Sequence, residues 1–377
     1  MRVGHFVSAP RVLIDGFFWG KPYGFGRFLS ELCRALGSVP DPEIDVVVAI
    51  PGTIDPATLP RYSSLAWQPL RAAELPIWEQ ILIPRTARRL VCDVIHFPCN
   101  TRALLTGGRP AIVTVHDLMF LDENPPWRRF KDAVYARYTT QIFRRSSVRS
   151  TVIAVSDTTR RALAEHGVEA RTVYNTVDGF LSECAVVAPL QTSRPYILHR
   201  GGYAEHRNTL RVIEAFRAAR ANLPGIDLKV LGAPVGATLW QTEAERDIQF
   251  LPRVPDAELA ALYRGSLCLV ATSLQEGFGL PILEGFGFGT AVITSARDPM
   301  REVAGDAALL VDPTDVNAIA EAMRAVGTNA DLRATLVARG TARARTFASS
   351  HVAAEMMAVY AEAAQHRNVG RRAFSPC

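Results

Sequence analysis

The chain of 377 residues contains no CxxC pair and no cysteine–histidine spacing of the kind that binds zinc. Its six cysteines are Cys33, Cys92, Cys99, Cys184, Cys268 and Cys377. They stand apart, several within apolar runs such as Ser266-Leu267-Cys268-Leu269-Val270. That pattern fits buried, reduced thiols in a cytoplasmic protein and argues against a disulfide framework. No apolar run approaches the roughly 20 residues needed to span a bilayer. The opening residues, Met1-Arg2-Val3-Gly4-His5-Phe6-Val7, read as a short first strand without the apolar core and cleavage site of a signal peptide. Repeats and low-complexity tracts are missing as well. Charge of one sign is scarce: a net +5, spread along the chain, is too weak to point to nucleic acid, though it suits an anionic ligand or a membrane surface. A cytoplasmic chain, free to lie on the inner face of a membrane, is expected.

Hydrophobic residues make up 48% of the chain, enough for a core in each of two ordinary domains. Short apolar runs alternate with amphipathic helical stretches. Val46–Ile50, Val94–Phe97, Ala111–Val115 and Thr151–Val155 are rich in β-branched residues on both faces, as parallel strands covered by helices must be. Helical spacing falls between them, as at Phe28–Leu36. Residues 185–194 carry neither period and read as a linker. The alternation then restarts with strand Tyr196–Leu198, a helix near Leu210–Ala221, strand Leu228–Leu231, a helix near Ala257–Arg264 and strand Cys268–Val270. A helix after Gly279, strand Ala291–Ile293 and helices from Val316 and Leu332 follow, and His351–Gln365 forms a last helix with its own apolar face. The fold class is α/β, with two doubly wound domains. Residues 1–185 form the first and 186–348 the second; 349–377 are a helix and tail that return to the first. Two such domains set a cleft between their strand carboxyl ends.

One segment carries most of the chemistry: Glu276-Gly277-Phe278-Gly279-Leu280-Pro281-Ile282-Leu283-Glu284, followed by Gly289-Thr290-Ala291-Val292-Ile293. Gly277 and Gly279 let backbone approach a ligand closely. Pro281 suits the first turn of a helix. The N-terminal amides of that helix offer a site for phosphate. Glu284 lies further along the same helix, in reach of a second part of one ligand. The plainer alternative is a surface glycine turn before a helix.

The segment resembles the Glu-x7-Glu motif of the retaining glycosyltransferases of family GT4, the group 1 glycosyltransferases, which have the GT-B fold of two Rossmann-like domains. The resemblance runs through nearly the whole chain. It includes Gly24-Phe25-Gly26-Arg27, Val115-His116-Asp117-Leu118, Ala154-Val155-Ser156, Val173-Tyr174-Asn175-Thr176-Val177-Asp178, Gly201-Gly202-Tyr203 with Arg207-Asn208, and Arg301 to Pro313. It implies a donor site for a nucleotide-diphosphate sugar built from Gly24, Gly26, Gly202, Arg207, Asn208, Glu276, Gly277, Phe278, Gly279, Leu280 and Glu284. By the same resemblance Glu276 contacts the transferred sugar and Glu284 the ribose. The amides of Phe278, Gly279 and Leu280, with Arg207, hold the diphosphate, and His116 lies against the donor sugar. His116, Glu276 and Arg207 are thus the expected catalytic residues, and Asp117 a helix cap or loop contact. The chain departs from the family where Arg207 replaces a lysine, Thr176 a glycine and Ala291 a proline.

No Asp-x-Asp motif occurs, so neither metal nor other cofactor is expected. The implied reaction moves a hexose, with mannose favoured, from a donor such as GDP-mannose to a glycan or lipid-linked acceptor in cell-surface polysaccharide synthesis. The alternatives are a non-catalytic nucleotide-sugar-binding protein and another GT-B enzyme such as a phosphorylase; the two glutamates argue against an epimerase. The basic and aromatic stretch Trp127–Arg145 suits either a membrane-surface helix or, as the favoured reading, a helix with aromatics in the core and arginines in solvent.

Overall fold

Strands that are apolar on both faces have to be covered on both faces, and the chain meets that demand twice. The computed structural model describes residues 9–21, 24–40, 43–121, 130–146, 150–202, 204–232 and 246–372. The segment Met1–Val7, Trp127–Arg129 and Tyr203 lie outside the described residues. Two units divide the chain: residues 1–175 with 349–377, and residues 176–348.

In the first unit, β1 (Arg11–Asp15), β2 (Asp45–Pro51), β3 (Leu65–Leu70), β4 (Val94–Phe97), β5 (Ala111–Val115), β6 (Thr151–Ala154) and β7 (Arg171–Thr172) make one sheet, in the order β3-β2-β1-β4-β5-β6-β7. Every pairing is parallel. The helices are α1 (Gly24–Gly37), α2 (Leu75–Ile77), α3 (Ile83–Arg89), α4 (Phe130–Ser146) and α5 (Asp157–Glu165). A π turn, Trp78–Leu82, makes α2 and α3 continuous. Alternate strand residues serve two cores, as the two-residue period dictates. Val12, Ile14, Val46 and Val48 pack with Leu29, Leu32 and Leu36 of α1, whereas Leu13 and Val47 pack with Trp78, Ile83 and Ala87.

The second unit pairs β8 (Tyr196–Arg200), β9 (Asp227–Leu231), β10 (Ile248–Leu251), β11 (Cys268–Ala271), β12 (Ala291–Ser295) and β13 (Leu309–Val311) in the parallel order β10-β9-β8-β11-β12-β13. Around it lie α6 (Asp178–Glu183), α7 (Thr209–Ala219), α8 (Asp256–Gly265), α9 (Leu280–Gly287), α10 (Met300–Ala304), α11 (Val316–Thr328) and α12 (Ala330–Ala344). The division falls between Asn175 and Thr176, before the loose stretch 185–194 rather than at it. The reason is packing. Phe180 of α6 is fully buried with its ring 5.0 Å from that of Phe288, and the Leu190 amide bonds to the carbonyl of Ala261.

The last helix, α13 (Ser349–Arg372), belongs to the first unit. Its stripe Val352, Met356, Val359, Tyr360 and Ala363 completes the core beneath α1. Tyr360 also reaches the sheet: its hydroxyl lies 2.7 Å from Nδ1 of the buried His96, whose Nε2 meets Thr114 Oγ1 at 2.8 Å. Burial pushes His96 down to about 3, so the ring is neutral. Among the described residues no helix is long and apolar enough to cross a membrane.

Tyr360→Phe strands a buried ring nitrogen while keeping the aromatic bulk. Urea unfolding is expected to show a loss of about 1–3 kcal/mol, the cost of a buried polar group without its partner.

Candidate functional site

In each sheet the strand order reverses once, between β1 and β4 and between β8 and β11. Open α/β sheets bind ligands outside the strand carboxyl ends at such points. In the second unit β8 runs into Gly201-Gly202 and β11 into Thr272-Ser273, which lead to Arg207 and Glu276 respectively.

Arg207 ends a 3-10 turn, Glu205–Arg207, and its Nη1 lies 2.5 Å from Glu276 Oε1. Ser273 Oγ donates to the same oxygen at 2.9 Å. The Leu274 amide bonds to the His206 carbonyl at 2.7 Å, so the two loops are tied side by side. Asn208 holds the turn from below. It adopts a left-handed backbone (φ 62), and its Nδ2 donates to the carbonyls of Thr272 (3.0 Å) and Pro313 (2.6 Å). Its Oδ1 accepts from Arg211 at 2.9 Å. Asn208 is therefore buried and engaged at both ends of its amide.

His199, one residue before the end of β8, braces the same turn. Its Nδ1 donates to the Val270 carbonyl at 2.8 Å, and its Nε2 lies 3.1 Å from Thr209 Oγ1. A carbonyl only accepts, so Nδ1 carries the proton. Burial pushes this histidine down to about 4.

Directly after Glu276 the chain turns into α9. Gly279 caps it with φ 105, a left-handed conformation that a side chain strains to adopt. Phe278 anchors the turn with its ring edge-on to Phe347, centroids 5.7 Å apart. Leu280 opens the helix and Pro281 occupies its first turn, so the amide end of α9 faces the loop that carries Glu276 and Gly277. Glu284, on the same helix, is wholly buried. Its Oε2 pairs with Arg200 Nη1 and accepts from the Tyr263 hydroxyl at 2.8 Å.

In the first unit the Gly24–Arg27 segment is the start of α1. A Cβ on Gly26 would sit 2.1 Å from the Lys21 carbonyl oxygen, so only glycine lets the helix begin against the 18–21 turn. Phe25 and Phe28 both present ring edges to His116, each centroid 4.7 Å away. The His116 amide donates to Asn100 Oδ1 at 2.7 Å, and Nε2 lies 3.1 Å from the Pro98 carbonyl. Nε2 is therefore the protonated nitrogen and Nδ1 the ring's acceptor. Burial pushes His116 down to about 4, so the ring is neutral near pH 7. Asp117 Oδ1 accepts from the Met119 amide at 3.1 Å, a loop contact.

The structure thus joins Arg207 with Glu276 and Glu284 with Arg200 and Tyr263, and it sets Phe25 and Phe28, in the helix that Gly24 and Gly26 begin, against His116. Arg200, Tyr263, Ser273 and Asn100 escaped the sequence reading. Arg200 carried a usable signal, a cation at a strand's carboxyl end before two glycines, while Tyr263 on α8 carried none.

A sequence model of the family "Glycosyl transferases group 1" matches residues 186–343, and one of "Glycosyltransferase Family 4" matches residues 23–179. The chain is 36% identical over 126 residues to the O-antigen chain mannosyltransferase B of Escherichia coli, covering 32% of this chain and 33% of that protein. It is 32% identical over 219 residues to the phosphatidyl-myo-inositol mannosyltransferase of Mycolicibacterium smegmatis, covering 55% and 56%. The matches thus span from a third to just over half the length of these relatives. Among solved structures, the sucrose-phosphate synthase of Thermosynechococcus elongatus superposes with a TM-score of 0.68 at 17% identity, over 94% of this chain and 98% of that one. An Anabaena protein solved with UDP and glucose gives 0.64 at 16%, over 94% and 100%. At these identities the likeness shows the fold.

The brace at His199 titrates with a definite sign. The neutral ring is the folded form, so its contribution is complete above the unfolded value of 6.5 and is lost as the pH falls from there towards about 4. A His199→Gln variant is expected to lose stability less steeply than wild type across that window, by about 1.4 kcal/mol per pH unit, in urea unfolding at stepped pH.

Proposed function

The chain belongs to the group 1 glycosyl transferases and has their GT-B fold, and on that footing we propose that it moves mannose from a nucleoside-diphosphate donor to a hydroxyl of a glycan or lipid-linked acceptor, with retention at the anomeric carbon. The observation that carries this reading is the Arg207–Glu276 pair set at the amide end of α9. A cation and oriented amides side by side suit a diphosphate, and a carboxylate beside them suits the hydroxyls of the attached sugar. The mannosyltransferase names of the relatives support mannose, and GDP-mannose is the donor we propose.

In this reading Glu276 accepts hydroxyl hydrogens of the transferred sugar and Glu284 those of the ribose. The amides of Phe278, Gly279 and Leu280, with Arg207, hold the diphosphate. Gly202 and the Gly24–Gly26 segment give backbone access to the donor, and Asn208 keeps Arg207 in place. As the bond between the anomeric carbon and the phosphate oxygen breaks, negative charge gathers on the leaving diphosphate. Fixed amides and a cation aimed at that charge lower the barrier without needing a metal ion. His116, neutral at physiological pH, tolerates the positive charge that builds at the anomeric carbon and supports it. The acceptor oxygen attacks from the face the phosphate leaves, and the phosphate takes its proton.

The test is thermal shift and nucleoside diphosphate release with GDP-, UDP- and dTDP-sugars. One donor, expected to be GDP-mannose, stabilises the fold and is slowly hydrolysed, and chelation leaves the rate unchanged. Glu276→Ala is expected to slow release and transfer about 100-fold or more, as loss of a positioning contact does. A Glu276→Ala rate near wild type overturns the sugar assignment. Failure of every nucleotide and nucleotide sugar to bind replaces an enzyme with a non-catalytic protein.

A further inference from the structure

Two side chains meet Glu284, and neither takes part in the reaction proposed above. Tyr263 lies in the last turn of α8 and is fully buried. Its hydroxyl donates to Glu284 Oε2 at 2.8 Å and accepts from Arg200 Nη1 at 3.2 Å, while the same Nη1 pairs with Oε2. A carboxylate only accepts and a guanidinium only donates, so the direction of each bond is fixed. The three groups close a ring of hydrogen bonds around one carboxylate oxygen. Of the three, Arg200 alone reaches solvent, with its side chain 30% exposed.

The phenol is itself held firmly. Its ring stacks on Phe288, which caps the end of α9, with centroids 5.6 Å apart and 20° between the planes. The Tyr263 carbonyl accepts from Thr290 Oγ1 at 2.8 Å, and the neighbouring Leu262 carbonyl accepts from the buried Tyr196 hydroxyl at 2.8 Å. The strand β8, the helix α8 and the turn from α9 into β12 thus converge on one hydroxyl. Arg200 by itself answers the charge of Glu284. The tyrosine adds what an ion pair lacks, a fixed direction. A glutamate side chain is long, and a single point contact leaves its carboxylate free to rotate. Two donors converging on one oxygen hold the plane of the group. A carboxylate with a set plane suits two neighbouring hydroxyls met at once, and its prior order spares the ligand the cost of ordering it.

We infer that Tyr263 and Arg200 are positioning residues that hold the Glu284 carboxylate against the ribose hydroxyls, so that the site selects ribonucleoside donors over deoxyribonucleoside ones. The inference rests on the ribose contact of Glu284 in the proposed function. A ribose presents both hydroxyls to the fixed carboxylate. A deoxyribose presents one and leaves part of a desolvated charge unanswered. A held carboxylate cannot turn to make good that loss, so the missing hydroxyl costs more here than in a site free to rearrange.

Calorimetric titration of the full chain with pairs of nucleotides tests it. GDP is set against dGDP and UDP against dUDP, so the identity of the base does not decide the outcome. For the base that binds, the ribonucleotide is expected to bind about tenfold or more tightly than its deoxy form. Tyr263→Phe keeps the ring on Phe288 and the ion pair of Arg200 with Glu284. It is expected to shrink the ratio to about threefold or less, by weakening the ribonucleotide and sparing the deoxy form. Arg200→Lys keeps the charge but not the planar guanidinium, is expected to shrink the ratio as well, and serves if the phenylalanine variant does not fold. A tyrosine that only stabilises the fold weakens both nucleotides alike, so an unchanged ratio in the folded variants overturns the positioning role. Glu284→Gln separates that failure from failure of the reading beneath it, and is expected to lose most of the discrimination. If it keeps the wild-type ratio, or if wild type binds both sugars equally, the ribose assignment of Glu284 falls and the inference with it. If it loses the ratio while the Tyr263 and Arg200 variants keep theirs, the inference alone is overturned.

Discussion

A carboxylate with no solvent at all, Glu284, stands at the centre of the second unit, and its neighbours are arranged to answer it. An unpaired buried charge costs several kcal/mol, so the fold has to bring a cation and a hydroxyl to that spot. Arg200 comes from the end of β8 and Tyr263 from α8, while Glu284 itself rides on α9. The three elements are locked to one another by that need. The lock fixes where α9 begins, and the start of α9 fixes the loop that carries Glu276 and its partner Arg207. The Glu-x7-Glu spacing is therefore a structural constraint as much as a chemical one. One carboxylate is anchored inside the helix so that the other can be presented at its mouth.

The first unit solves a matching problem with aromatic rings. His116 is kept neutral by burial and oriented by Asn100 and the Pro98 carbonyl, and two phenylalanines of α1 close on it edge-first. The rings continue from Phe25 to Phe18 and Phe17 and on to Trp78, whose indole nitrogen donates to the buried Asp15 at 2.6 Å. Burial pushes that aspartate up to about 6.

Much of the fold could be read from the residues because parallel strands buried on both faces leave an unmistakable mark. Val46–Ile50, Val94–Phe97 and Ala111–Val115 are strands for that reason, and their helices follow from the 3.6-residue period. The buried β1, Arg11–Asp15, was not read, the first strand having been expected at Met1–Val7; the other strands that were not legible are those that escape full burial. At the sheet edge β3 contains Pro69 and is half-exposed, and β13 is three residues long. In β10 a single residue is fully covered. The division between the two units falls ahead of the linker for a related reason. A segment without periodicity reads as a linker, yet what binds 176–185 to the second unit is the Phe180 ring against Phe288, a contact between residues far apart in sequence.

By itself the sequence determined the two α/β halves, the Glu276–Glu284 motif with its glycine-capped helix, and the family to which the chain belongs. Each of these is encoded locally, in the order and spacing of neighbouring residues. The tertiary structure decided what those residues touch. It paired Glu276 with Arg207 and buried Glu284 against Arg200 and Tyr263. It turned Asn208 inward as a brace and set the protonated nitrogen of His116. Those outcomes depend on which strand lies beside which, and strand order is set by the packing of whole elements rather than by any stretch of residues short enough to carry a motif.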